Sequence, residues 1–336
     1  MTGTMELSMT DTIIAYPNLA AARLGTEIVS VTDQFFASAE RMLAETPPRF
    51  IADKFDDHGK WMDGWETRRR RGPGHDSAIV RLGAPGDVHQ LEIDTAHFTG
   101  NYPMAASVDA CVLGDGEDPA SARWQPLLTM TALQGDHLHR FTLPTPGHAT
   151  HVRLNLHPDG GVARFRVLGR PRVDWASVDA DQEVELSAAR LGGQVLALSD
   201  AHYGWPHSLL YPGRGLNMGD GWETRRRREP GFDWCVIGLG HRGRVTGLEV
   251  DTAFFKGNFP AQVSVQAANL EDHADTALLR ASSMFWPTLL TPQPLGPDAM
   301  HHFQDQLETL DAVTHVRLNM HPDGGISRFR VFGQIQ

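Results

Sequence analysis

Three sequence blocks occur twice, in the same order, and this repetition constrains the fold more than any other feature of the chain. DGWETRRRR at Asp63–Arg71 returns unchanged at Asp220–Arg228. LEIDTAHFTGNYP at Leu91–Pro103 returns as LEVDTAFFKGNFP at Leu248–Pro260, and both pairs are 157 positions apart. HVRLNLHPDGGVARFRVLG at His151–Gly169 returns as HVRLNMHPDGGISRFRVFG at His315–Gly333, 164 positions on. The second copy therefore carries seven extra residues between its second and third blocks. A weaker match pairs LGTEIVSVTDQFF from Leu24 with LGGQVLALSDAHY from Leu191. A period of about 160 residues is too long for a solenoid unit and is the size of a domain. The reading is two domains, about 20–172 and about 173–336, meeting near Pro171 in GRPRVDWAS. Residues 1–19 read as a mobile tail.

Each copy has the patterning of β-structure. In HVRLNLH, Val152, Leu154 and Leu156 share one face, and His151, Arg153, Asn155 and His157 share the other. Leu91 and Ile93 alternate with Glu92 and Asp94 in the same way. Turn signals such as PDGG, GNYP and LGAPGD separate these runs, as in antiparallel strands of a sandwich. The expected fold class is all-β, two repeated jelly-roll β-sandwiches. Short helices are expected at Phe35–Leu43 and Ala299–Thr309.

Composition narrows the function classes. With 41% hydrophobic and 21% charged residues the chain is globular rather than disordered. A formal net charge of -11 repels phosphate backbones, so nucleic acid is not an expected partner despite two arginine runs. Cys111 and Cys235 have no spacing for a disulfide framework or a zinc site and read as buried thiols in a reducing compartment. Met1–Ala20 lacks a basic region followed by an apolar run, and no stretch approaches the ~20 apolar residues of a membrane helix. The expectation is a cytoplasmic protein with no membrane partner.

The repeated blocks hold the candidate chemistry. The planar guanidinium fork suits a small carboxylate, which makes Arg68, Arg69 and Arg70, with Arg225, Arg226 and Arg227, candidates to bind substrate. Asp63 and Glu66, with Asp220 and Glu223, stand beside them, either to fix the guanidinium planes or to act on a proton. His157 and Asp159, with His321 and Asp323, sit where a strand enters a hairpin, as turn formers or as an acid–base pair. Asn101 and Asn258 end the second block and could meet a urea-like group, and Trp65 and Trp222 could stack on a ligand. His137 and His139, and His301 and His302, show no ligand spacing that recurs in the other copy, so no dedicated metal site is expected. No glycine-rich phosphate loop or GxSxG motif occurs, and no nucleotide cofactor is implied.

Together the two DGWETRRRR blocks, the two DTAxFxGNxP loops and the two LNxHPDGG hairpins resemble the allantoicase family, from about Asp33 to Gly333. The resemblance implies galactose-binding-like jelly rolls, hydrolysis of allantoate to ureidoglycolate and urea in purine (allantoin) degradation, no cofactor, and a homo-oligomer. Rival readings are a non-catalytic sugar-binding sandwich and a hydrolase acting on ureidoglycolate.

Overall fold

The computed structural model describes residues 16–114, 116–270 and 275–336. They form two compact units, Tyr16–Arg172 and Val173–Gln336. Most of the expected tail lies outside the described residues. Its last residues are not loose: Leu19 is fully buried, its N–H donates to Val167 O, and the Asn18 carboxamide accepts from Ala20 N and Val167 N.

In the first unit the 19-residue strand Asp76–Asp94 organises everything else. Along its first part it pairs with Glu27–Val31 and with the end of Leu138–His157. Beyond a register shift between Arg81 and Gly86 it pairs with Arg164–Pro171 and the start of Leu138–His157. Ala105–Cys111 and Gln125–Ala132 extend the sheet, and all these pairings are antiparallel. At the bend the backbones close in: a Cβ on Gly86 would lie 2.2 Å from Arg170 O. The alternation legible in the sequence is the core. Val80, Leu91, Ile93, Val152, Leu154, Leu156, Phe165 and Val167 are all fully buried, burial that supplies most of the stability. The opposite face of Leu138–His157 carries a polar ladder, in which Asp109 accepts from Arg153 and Asn155 and Asn155 donates to Ser107.

The second unit repeats this plan around Asp233–Asp251, which pairs with Gln194–Leu198, Val313–His321 and Arg328–Ile335. Extra residues between Gln262–Ala268 and Thr288–Pro294 include the one α-helix among the described residues, Thr276–Ser282. Asp275 caps it, and Leu279 packs on Ala197, Val236 and Trp286.

Both expected helices are corrected. Phe35–Leu43 holds only a 3-10 turn at Ala39–Leu43. Ala299–Thr309 holds the strand Met300–Phe303, which pairs with Leu248–Asp251 and buries Phe303, so cross-strand pairing overrides local helical preference. Cys111 and Cys235 are buried free thiols, and burial pushes both thiols up. No helix among the described residues is long and apolar enough to cross a membrane.

Candidate active site

The three blocks of each copy meet through backbone and side-chain bonds. In the first, Thr67 N donates to Gly160 O at 3.2 Å and Gly160 N returns a bond to Thr67 Oγ1 at 3.0 Å. Gly161 N donates to Asn101 O at 2.7 Å, and Asn101 Nδ2 donates to Glu66 Oε1 at 2.7 Å. The second copy repeats the joint: Thr224 N to Gly324 O at 3.0 Å, Gly325 N to Asn258 O at 2.8 Å, and Asn258 Nδ2 to Glu223 Oε1 at 2.6 Å. Gly160 and Gly324 have φ of +144° and +141° and press on the loop of the second block, which explains glycine after Asp159 and Asp323. A carboxyl and a carboxamide held side by side, with guanidinium groups following on the same chain, result in each copy.

The arginine runs resolve residue by residue. Arg68 is clasped by Asp33 and Arg225 by Asp200, at 2.6 Å and 3.0 Å, and both aspartates also accept the arginine's own N–H. Burial would raise the Asp33 carboxyl, but hydrogen bonds from Phe35 N and Arg68 hold it below the ordinary carboxylate value. Arg70 and Arg227 turn to Asp76 and Asp233, at 2.9 Å and 2.8 Å. Asp159 and Asp323 accept the N–H of Arg70 and Arg227. Arg69 bonds Asp159 Oδ1 at 3.2 Å and Gly100 O at 2.9 Å. Its counterpart Arg226 is exposed and makes no hydrogen bond or ion pair among the described residues.

Several sequence expectations need correction. Trp65 and Trp222 are fully buried, with their indole N–H donated to Asp33 O and Asp200 O, so neither can stack on a ligand. Asp63 and Asp220 hold Arg164 and Arg328, arginines that are 2% and 0% exposed, at 2.8 Å and 2.9 Å. These aspartates are therefore structural counter-charges rather than free carboxylates. His157 is tied not to Glu66 but to the polar ladder: its Nε2 lies 3.0 Å from the Ser107 hydroxyl, whose oxygen also accepts from Asn155 Nδ2. Burial, and then neighbouring His75, push the His157 imidazole down. His321 has the same bond to Ser264, at 2.9 Å. His139 and His301 prove to be counterparts, each accepting a loop N–H on Nε2 and facing a strand carbonyl through Nδ1. Among the described residues no group of three or more His, Cys, Asp or Glu converges as metal ligands.

Asp33, Asp200, Arg164 and Arg328 were absent from the expected site. Asp33 and Asp200 occupy matching places in the weak LGTEIVSVTDQFF/LGGQVLALSDAHY repeat, which is the signal that could have found them.

The allantoicase repeat, as a sequence family, matches residues 17–172 and 184–336. The chain belongs to the allantoicase family. A probable allantoicase of Ralstonia nicotianae is 50% identical over 333 residues, 99% of each chain. Probable allantoicase 2 of Burkholderia pseudomallei is 51% identical over 320 residues, 95% of each chain. The crystal structure of allantoicase from Saccharomyces cerevisiae superposes with a TM-score of 0.78 at 35% identity, covering 94% of this chain and 92% of that one. Both allantoicase repeats keep the Glu–Asn pair, but they differ in the contacts of the arginine three residues after the glutamate.

Glu66 in the first allantoicase repeat offers a stability test. Burial raises its carboxyl above the ordinary value of 4.5, against the Asn101 hydrogen bond and the Arg69 charge, which lower it. A raised folded-state value means the contribution is fully present below about pH 4.5 and is lost as pH rises through the folded value. Glu66→Gln keeps an acceptor for Asn101 and cannot ionise. Its melting temperature is expected to exceed the wild type's at pH 7, with the gap closing at pH 4. A gap of equal size at both pH values would exclude the buried charge as its cause.

Proposed function

We propose that this protein hydrolyses allantoate to ureidoglycolate and urea, an amidine-type C–N cleavage in allantoin degradation. The observation that carries the reading is the Glu–Asn pair at the joint of the three repeated blocks, with an arginine three residues after each glutamate, in a chain that matches allantoicases over nearly its whole length. Allantoate carries a carboxylate and two ureido groups on one carbon. In the second copy Arg226 would hold that carboxylate through its bidentate fork. Asn258, already bonded to Glu223 through Nδ2, would present Oδ1 to a ureido N–H.

Urea leaves poorly as an anion, so the departing nitrogen must receive a proton. Glu223 would give it as the C–N bond breaks, while the lone pair of the other ureido nitrogen forms the C=N bond of an acylimine-like species. Water then adds to that carbon, and the carboxylate of Glu223 takes the proton back. The products are ureidoglycolate and one urea, with no net change in the enzyme. A sugar-stacking role loses its platform because Trp65 and Trp222 are buried.

Purified protein is expected to release one urea per allantoate and to stop at ureidoglycolate. No urea from allantoate would overturn the reading. Faster urea release from ureidoglycolate than from allantoate would move the assignment to that substrate.

A further inference from the structure

We propose that Lys256 is a second carboxylate-binding residue of the second repeat and forms with Arg226 a two-cation clamp that the first repeat lacks. The identity of the ligand, a ureido carboxylate, rests on the proposed function. Of the chain's 30 lysines and arginines only Lys54, Lys60 and Lys256 are lysine. Lys54 lies over the Trp61 ring at 3.7 Å. Lys60 donates to Ile51 O at 3.1 Å and to Ala52 O, and stands over Phe50 and Phe55. Lys256 is exposed and makes no hydrogen bond, ion pair or ring contact among the described residues. It sits in the loop that supplies Asn258 to the Glu–Asn pair.

The two loops are built alike, and Lys256 takes the place of Thr99. Phe98 N donates to Thr95 O and Phe255 N to Thr252 O, both at 2.9 Å. His97 and Phe254 both have left-handed backbones, with φ of +69° and +71°. Phe98 and Phe255 are fully buried, and the next residue, Thr99 or Lys256, is exposed. The arginine segment is anchored alike as well: Asp159 accepts Arg70 N at 2.8 Å, and Asp323 accepts Arg227 N at 2.9 Å. In the first repeat this frame lets Arg69 Nη2 reach Gly100 O, next to Thr99, at 2.9 Å. Gly257 follows Lys256 in the same place, yet Arg226 does not take its carbonyl. An ammonium beside that carbonyl repels a second cation, whereas the neutral Thr99 admits one.

Two cations without partners among the described residues thus flank the Glu–Asn pair in sequence, Arg226 three residues after Glu223 and Lys256 two before Asn258. An ionised carboxylate has about four lone-pair sites. The Arg226 fork occupies two of them in parallel, and the compact Lys256 ammonium takes a third. An anion held between the two charges also removes their repulsion. The ureido end of the same molecule then meets Asn258 Oδ1 and Glu223. In the first repeat Arg69 is already bonded to Asp159 and Gly100 O, and Thr99 carries no charge, so the clamp is confined to the second.

With so few lysines, reductive methylation of the full chain with carbon-13 formaldehyde gives three lysine NMR signals besides that of the N-terminal amine, and dimethyl-lysine keeps its charge. Lys256→Arg removes one signal and so assigns it. N-carbamoylglycine, a stable ureido carboxylate, is the probe. The Lys256 signal is expected to move with the midpoint that calorimetric titration gives, while those of Lys54 and Lys60 stay. With allantoate, Lys256→Met should raise KM about ten- to hundredfold. Its kcat should hardly change, because the clamp grips substrate and transition state alike. Lys256→Arg should recover most of the loss, and Thr99→Met should change neither constant. Melting temperatures should stay at the wild-type value throughout. A probe that does not bind, a Lys256 signal unmoved at saturation, or wild-type KM in folded Lys256→Met overturns the proposal. Urea release by the wild type is a separate readout. A chain whose Lys256 signal moves with the probe but that releases no urea from allantoate would sink the functional reading and leave the clamp standing. Urea release with wild-type KM in Lys256→Met would do the reverse.

Discussion

Arg226→Lys is expected to lower kcat/KM for allantoate by about 30- to several-thousand-fold while leaving the fold intact. Lysine keeps the charge and loses the two parallel N–H donors that a carboxylate needs. Losing one partner of a charge pair that is desolvated in the complex costs about 2–5 kcal/mol, and each ~1.4 kcal/mol is tenfold in rate. Stability should barely move, because Arg226 is exposed and bonds nothing among the described residues. Arg69→Lys is the internal control. Arg69 is already bound to Asp159 and Gly100 O, so its change should act on the folded state more than on turnover. Arg68→Lys and Arg225→Lys break clasps with Asp33 and Asp200 and belong with Arg69. Steady-state kinetics beside thermal melts separates the cases. Normal kcat/KM in Arg226→Lys with loss in Arg69→Lys would place the carboxylate in the first repeat. Normal values in both would remove the arginine clamp altogether.

The second large effect is on stability. Arg328 is 0% exposed and pairs with Asp220 at 2.9 Å, while its other terminal nitrogen donates to the carbonyls of Asp220 and Ser327. Removing one member of a buried pair strands the other charge, at a cost of about 3–5 kcal/mol. For a unit of this size Arg328→Met should lower the melting temperature by roughly 6–20 °C. Arg164→Met should do the same through Asp63, which also accepts from Arg49 N. Adding Asp220→Asn to Arg328→Met removes the stranded charge and should recover part of the loss. Denaturant titration gives the free energies. If Asp220 acted on protons, Asp220→Asn would instead abolish turnover of folded protein with only a modest shift in melting temperature.

Much of this molecule is local in sequence. The duplication, the strand faces of Val152, Leu154 and Leu156, and the turns at Gly160 and Gly324 follow from side-chain alternation and from the backbone freedom of glycine, both of which a short window carries. The same window names the glutamate, asparagine and arginines of the candidate site. It does not say which arginine is spent on structure, because the partners lie far along the chain: Asp33 is 35 residues from Arg68, Asp159 is 90 from Arg69, and Asp63 is 101 from Arg164. Nor does it distinguish Trp65 as a core residue from Trp65 as a ligand platform, since an aromatic before a charged run fits both. The tertiary structure decided these points. Burial makes an unpaired charge or an unbonded indole costly, and each such group takes whichever partner the folded chain brings within reach. The two DGWETRRRR segments thus have one sequence and different contacts, with Arg69 bonded and Arg226 unbonded among the described residues, though both are exposed.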